Sequence, residues 1–257
     1  MTEFCKVERE GPLTIVTINR PEVMNSLHPA ANFELEGVFN DFSQDPDQWV
    51  AIITGAGDRA FSAGNDLKYQ AGGGKMGGPE SGFAGLTSRF DNPKPVIAAV
   101  NGVAMGGGFE IALACDLIIA SENAIFALPE PRVGLAALAG GIHRLPREIG
   151  MKQAMSMLLT GRRVAAEEGK SLGFVNEVVA EGEALNAAKK WAALILECAP
   201  LSVRCSKQAA MDGMKAAGLE DAIKGKYPDI AKMVKSSDFV EGPLAFSEKR
   251  KPNWQGK

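Results

Sequence analysis

The stretch Asn101-Gly-Val-Ala-Met-Gly-Gly-Gly-Phe-Glu-Ile-Ala-Leu-Ala-Cys-Asp116 decides how the rest of the chain is read. The apolar run Pro95 to Val100 precedes it and reads as a buried strand. Gly108 to Ala114 reads as a helix. A strand, a run of glycines and a helix start put bare backbone N–H groups at a positive helix end. Such a place suits an anion, and glycine lets the backbone approach a ligand closely. Glu110 falls in the first helical turn, where its side chain can reach the same space.

Composition sets the frame. A chain of 257 residues is one large domain, or a domain with an appendage. At 46% hydrophobic and 23% charged it has the material for a sizeable core. A net charge of −3 argues against bulk nucleic-acid binding. Cys5, Cys115, Cys198 and Cys205 lack CxxC spacing and read as reduced thiols, two of them in the core. The first ten residues lack the apolar segment of a signal peptide, so a cytoplasmic, non-membrane protein is expected. His28 and His143 have no spaced partners, so no metal site is expected, and His143 reads as packed or exposed rather than as a base.

Along the chain, Leu13 to Ile18 alternates as a strand. Pro29 to Phe42 carries a helical stripe, and Trp49 to Thr54 is a further strand. Ala71 to Gly85 is glycine-rich and reads as a mobile loop and a lid. Asp116 to Ala120 and Ala124 to Ala127 are strands, and Gly140 to Ile149 and Lys152 to Leu159 are helices. Phe174 to Val179 is the last strand, Leu185 to Cys198 and Pro200 to Met214 are helices, and the remainder is helix-rich. The class is α/β.

Four segments together resemble the crotonase (enoyl-CoA hydratase/isomerase) superfamily. Phe61-Ser-Ala-Gly-Asn-Asp-Leu-Lys68 resembles its first oxyanion segment, and Asn101 to Glu110 its second. Phe126-Ala-Leu-Pro-Glu-Pro-Arg-Val-Gly134 resembles the second carboxylate segment, and Glu241 to Pro252 the tail. Within the superfamily, Phe126 to Glu130 and Glu241 to Trp254 look nearest to the carnitinyl-CoA dehydratase branch. The resemblance implies a spiral of repeated β-β-α units over residues 1–198. It also implies a helical region, 199–257, that packs copies into a trimer or a dimer of trimers.

It implies a chemistry as well. The backbone N–H groups of Asn65 and Gly107 form an oxyanion hole for the thioester oxygen, each such donor contributing roughly 3–4 kcal/mol to lowering the barrier. Glu130 protonates Cα, and Glu110 helps it hold and deprotonate water. Ala63, Asp66, Leu67, Lys68, Gly106 and Leu138 surround the acyl-CoA substrate, and Lys249 reaches its phosphates. Coenzyme A enters as part of the substrate, and no separate cofactor is expected. Two expectations come from the residues themselves. The helix dipole should lower the pKa of Glu110, and Pro131 should hold Glu130 in extended backbone.

The chain departs from the family at Ala137-Leu138, where many hydratases have Pro-Gly, and at Ile142-His143, where Thr-Gln is frequent. Leu138 is expected to add bulk near Glu130. Three readings stay open. One is a hydratase-type lyase acting on a 2-enoyl-CoA. Another is a Δ3,Δ2-enoyl-CoA isomerase relying on Glu130. The third is a non-catalytic CoA- or RNA-binding relative.

Overall fold

The computed structural model describes residues 2–257. The chain opens with β1 (Cys5–Glu10) and β2 (Leu13–Ile18) and then α1 (Pro29–Gln44). Strands follow in pairs: β3 (Val50–Gly55) and β4 (Ala60–Ser62) before α2 (Leu67–Ala71), then β5 (Val96–Val100) and β6 (Val103–Met105) before α3 (Gly107–Ala114). A third pair, β7 (Leu117–Ser121) and β8 (Ile125–Ala127), leads to α4 (Gly141–Ile149) and α5 (Met151–Thr160). Then come β9 (Val164–Ala165), α6 (Ala166–Leu172), β10 (Glu177–Val179) and α7 (Ala184–Leu196). Four helices close the chain: α8 (Pro200–Gly213), α9 (Leu219–Ile223), α10 (Pro228–Met233) and α11 (Ser237–Ser247).

The first strand of each pair enters a six-stranded sheet, ordered β1-β2-β3-β5-β7-β10. The second enters a four-stranded sheet, β4-β6-β8-β9. The pairs β1·β2 and β8·β9 are antiparallel, and the other pairings are parallel. The chain therefore steps between two sheets at every turn, in the β-β-α order expected from the resemblance.

Period-two alternation explains why the large sheet is buried on both faces. Val16, Ile18, Ala51, Ile53, Ala98 and Val100 face α1 and the small sheet, where Leu35, Phe39 and Phe42 pack. Leu13, Ile15, Ile52, Ile97 and Ala99 face the alanine stripe Ala184, Ala187, Ala188 and Ala192 of α7. Small side chains let α7 lie close to the sheet.

β1, β4, β6 and β9 were not expected. β1 is an edge strand whose residues after Cys5 are all exposed, so its mostly polar sequence, Lys6 to Glu10, carries no apolar signal. β4, β6 and β9 have three, three and two residues, too short for a period to register. The Ala71 to Gly85 segment is not uniformly free, contrary to the mobile-loop reading. Ala84 and Gly85 are buried, Ala84 N–H donates to Asn32 Oδ1 at 2.7 Å, and Ser81 Oγ donates to Glu36 Oε1 at 2.6 Å. A buried asparagine and a half-buried glutamate on α1 thus pin the end of a glycine-rich loop.

The tail folds back on the body. Lys207 Nζ of α8 donates to Asp116 Oδ2 at 2.7 Å, and Trp254 Nε1 donates to the Glu197 carbonyl at 2.8 Å. All four cysteines are unpaired, with Cys5 and Cys205 buried. Among the described residues no helix is long and apolar enough to cross a membrane.

Candidate active site

The site is assembled from backbone first. Asn25, buried and at φ 55, ties down the turn between β3 and β4, since its Nδ2 donates to the carbonyls of Ala60 at 2.7 Å and Ala56 at 3.0 Å. Ser62 Oγ donates to the Asn25 carbonyl at 2.8 Å and accepts from Gly64 N–H at 3.1 Å. Leu27 then forms a parallel bridge to the turn after β4. Its N–H donates to the Gly64 carbonyl at 2.7 Å, and its carbonyl accepts from Asp66 N–H at 3.1 Å. A parallel bridge uses the groups flanking the central residue and turns that residue's own N–H away. Asn65 is the central residue, and among the described residues its N–H has no acceptor.

The second donor comes from the glycine run. Gly106 adopts φ 53 and ψ −125, a conformation that a side chain would strain. Its N–H makes a rung to the Ala127 carbonyl of β8 at 2.9 Å, and the chain then turns directly into α3. Gly107 is the first helical residue, so its N–H has no partner within the helix.

The two segments touch backbone to backbone. A Cβ on Gly64 would stand 2.6 Å from the Met105 carbonyl oxygen and 2.7 Å from Gly107 N. Only glycine at 64 allows this approach, and Gly64 also takes φ 84. Asn65 and Gly107 are therefore presented side by side.

The carboxyl groups join them. A Cβ on Gly106 would stand 3.1 Å from Glu130 Oε1, so this carboxyl lies beside the turn that presents Gly107. Glu110, 3% exposed, stands one turn into α3, and its Oε1 accepts from Gly141 N–H at 2.8 Å. Glu130 Oε2 is buried and, among the described residues, without a hydrogen-bond partner. Such a group is costly to bury and readily takes a donor.

Burial pushes the Glu110 carboxyl up to about 7. The Gly141 and Ala139 N–H groups pull it back, the Glu130 charge adds to the rise, and Arg144 opposes it. Burial also raises Glu130. The expected dipole effect on Glu110 is thus overturned, because loss of hydration outweighs a partial charge at the helix end. The extended backbone expected at Glu130 is overturned too. Glu130 opens a 3-10 turn, Glu130–Val133, whose first carbonyl accepts from Gly134 and Leu135 N–H. That turn outweighs the steric preference that Pro131 imposes.

The remaining expected residues divide. Ala63 is anchored through its N–H to the Met24 carbonyl at 2.9 Å. Asp66 has both oxygens engaged, accepting from Tyr69 N–H at 3.1 Å as the cap of α2 and pairing with Arg20 at 3.0 Å. Leu67 and Lys68 are exposed on α2. Leu138 is 77% exposed, so it does not lie between the two glutamates. Its N–H donates to the Ala136 carbonyl at 2.8 Å in a tight turn, and its neighbour Ala137 is the buried residue, packed on Gly141. Lys249 is exposed beyond the end of α11, outside the group formed by Asn65, Gly107, Glu110 and Glu130.

Three contributors were missed. Asn25 shapes the first donor turn, Phe83 lays its ring against Gly107, and Arg144 donates to the Thr87 carbonyl at 2.8 Å beside Gly140. None has a local signal, because each acts on residues more than twenty positions away. The assembled group offers two aimed N–H donors and two carboxyls, one buried and one half-buried, with raised pKa values. It can polarise a carbonyl and move protons beside it.

Comparison with known proteins shows the family. The enoyl-CoA hydratase/isomerase family model matches residues 8–257. A carnitinyl-CoA dehydratase of Salmonella arizonae is 43% identical over 262 residues, covering 100% of both chains. One of Citrobacter koseri is 42% identical over 263 residues, with the same coverage. An enoyl-CoA hydratase structure from Mycobacterium tuberculosis superimposes with a TM-score of 0.93 at 37% identity, covering 99% of each chain. A carnitinyl-CoA hydratase structure from Mycobacterium avium gives 0.79 at 40% identity, covering 100% of each.

Proposed function

This chain belongs to the enoyl-CoA hydratase/isomerase family, and we propose that it works there as a hydro-lyase, adding water reversibly and syn across the Cα=Cβ bond of a 2-enoyl-CoA. The observation that carries this reading is the meeting of Glu110 and Glu130 at the turn that presents Gly107.

The thioester oxygen accepts from Asn65 and Gly107 N–H, which polarises the conjugated system and stabilises the enolate as it forms. Water between the two carboxyl groups bonds through oxygen to Cβ and passes a proton to Glu110. Glu130 in its acid form, which burial favours, delivers its proton to Cα. One proton enters the pair and one leaves, so H and OH are added and the pair keeps its charge. Raised pKa values let one carboxyl hold a proton near neutral pH while the other accepts one.

Lys68 and Lys249 are the cations proposed for the coenzyme A phosphates, with Lys249 serving a neighbouring copy. Exposed apolar side chains on the last helices, among them Leu219, Ile223, Val240 and Phe246, support packing of copies through residues 199–257. Light scattering at micromolar concentration tests this, and a monomer would exclude it.

The reaction is tested on a panel of crotonyl-CoA, longer and branched 2-enoyl-CoAs and crotonobetainyl-CoA, following loss of the conjugated thioester absorbance. Turnover of at least one is expected. Glu110→Ala should abolish hydration. Survival of Δ3,Δ2 isomerisation in that variant, with no hydration by the parent, would transfer the assignment to an isomerase.

A further inference from the structure

Phe83 is not used by the chemistry above, yet it stands at the reacting end of the site. A Cβ on Gly107 would lie 2.6 Å from Phe83 Cε1, 2.9 Å from Cζ and 3.0 Å from Cδ1. The ring therefore lies flat against the residue whose N–H is the proposed second donor. It is only partly buried, packed on the core at one side and open at the other.

The ring is held there. Phe83 N–H donates to Thr87 Oγ1 at 2.8 Å, and the next N–H, of Ala84, donates to the buried Asn32 Oδ1 at 2.7 Å. Ala84 is fully buried in left-handed backbone at φ 55. A Cβ on Gly85 would collide with the backbone of Glu36 in α1. Neither neighbour can slide without breaking buried contacts, so the wall is rigid.

We infer that the Phe83 ring sets specificity at Cα of the acyl group, excluding substrates that carry a substituent there while leaving the length of the acyl chain unrestricted. The inference rests on the thioester oxygen docking at Gly107. With the oxygen on that N–H, the carbonyl carbon and Cα come beside the ring before any part of the acyl tail does. A methyl branch at Cα meets an unyielding aromatic surface. A longer chain, extending beyond Cβ, leads away from Gly107.

The test uses Phe83→Leu and Phe83→Ala with crotonyl-CoA, 2-methylcrotonyl-CoA and hex-2-enoyl-CoA. The ratio of kcat/KM for 2-methylcrotonyl-CoA over crotonyl-CoA should rise about tenfold or more, the scale of one methyl group in a close-fitting pocket. The hexenoyl over crotonyl ratio should stay within about twofold, a shift worth less than about 0.5 kcal/mol. Each ratio is taken on one sample, so a misfolded fraction cancels. Two unchanged ratios, or two that rise together, overturn the inference. If the parent hydrates none of the three, the reaction assignment fails only when crotonobetainyl-CoA and the rest of the panel also go unhydrated. Calorimetry of 2-methylbutyryl-CoA against butyryl-CoA on the same variants then decides the matter, and equal discrimination by parent and variants would refute the role of Phe83.

Discussion

The N–H of Gly141 donates to Glu110 Oε1 at 2.8 Å, so the first residue of α4 aims a side chain of α3. The two residues are thirty-one positions apart, and the bond joins one of the proposed catalytic acids to a backbone group that cannot rotate away. A Cβ at 141 would stand 3.1 Å from Glu110 Oε1, 3.0 Å from Ala137 Cβ and 3.1 Å from Leu128 Cδ1. Gly141→Ala should therefore displace the carboxyl without unfolding the chain. A fall in kcat of about a hundredfold with little change in KM is expected, the scale of a misplaced catalytic group. Steady-state kinetics decide it, and an unaltered kcat would show that this bond does not set the aim.

Burial of Glu110 carries a stability cost with a definite sign. Its folded pKa is raised from 4.5 to about 7, so the native state binds the extra proton over that range and stability falls as pH rises through it. Glu110→Gln keeps the acceptor for Gly141 and removes the titration. The variant should gain on the parent by about 2 kcal/mol between pH 5 and pH 8, as urea unfolding midpoints would measure. A gap that does not widen with pH would mean that Glu110 titrates normally.

Gly64 keeps the two donor segments in register. A Cβ there would press on the Met105 carbonyl oxygen at 2.6 Å and on Gly107 N at 2.7 Å. Gly64→Ala should lower kcat by about a hundredfold to a thousandfold, the loss seen when one oxyanion donor is removed. Affinity for a saturated acyl-CoA, which develops no enolate, should fall far less. Equal losses in both would assign Gly64 to ligand binding alone.

Glu34 of α1 clamps the start of the chain by accepting from three successive N–H groups, those of Glu3 at 2.7 Å, Phe4 at 2.8 Å and Cys5 at 2.9 Å. Although its partial burial works the other way, these bonds hold its carboxyl below the usual value. Stability from such a group is complete above the unfolded pKa and is lost as pH falls through the folded one. Glu34→Gln should loosen β1 by about 2 kcal/mol. Hydrogen exchange would show faster exchange in Cys5 to Glu10 with β3 and β5 unaffected, and uniform acceleration of every strand would argue against a local clamp.

How much of this was legible beforehand depended on the range of the interaction. Leu13 to Ile18, Pro29 to Phe42 and Leu185 to Cys198 announce their elements through period, because side chains a few residues apart share a face. The glycine run followed by Glu110 could be read as a donor turn carrying an acid, since a helix start and its first turn lie within a few residues. Edge strand β1 and short β4, β6 and β9 gave no period to read.

The pKa of Glu110 was read with the wrong sign for the same reason. The helix dipole belongs to the local sequence, whereas the burial that outweighs it comes from α4 and the 3-10 turn at Glu130 closing over the site. Leu138 was expected to add bulk near Glu130, but its turn leaves it 77% exposed.

The sequence alone determined the α/β class, the order of its main elements and the residue types at the donor turns, all consequences of backbone sterics and side-chain period. Only the tertiary structure decided that Gly64 would touch Gly107, that Gly141 would hold Glu110 and that Phe83 would wall the site. Those contacts join positions that only the packing of two sheets and their helices brings within bonding distance, and hydration, unlike period, is lost only when distant parts of the chain close together.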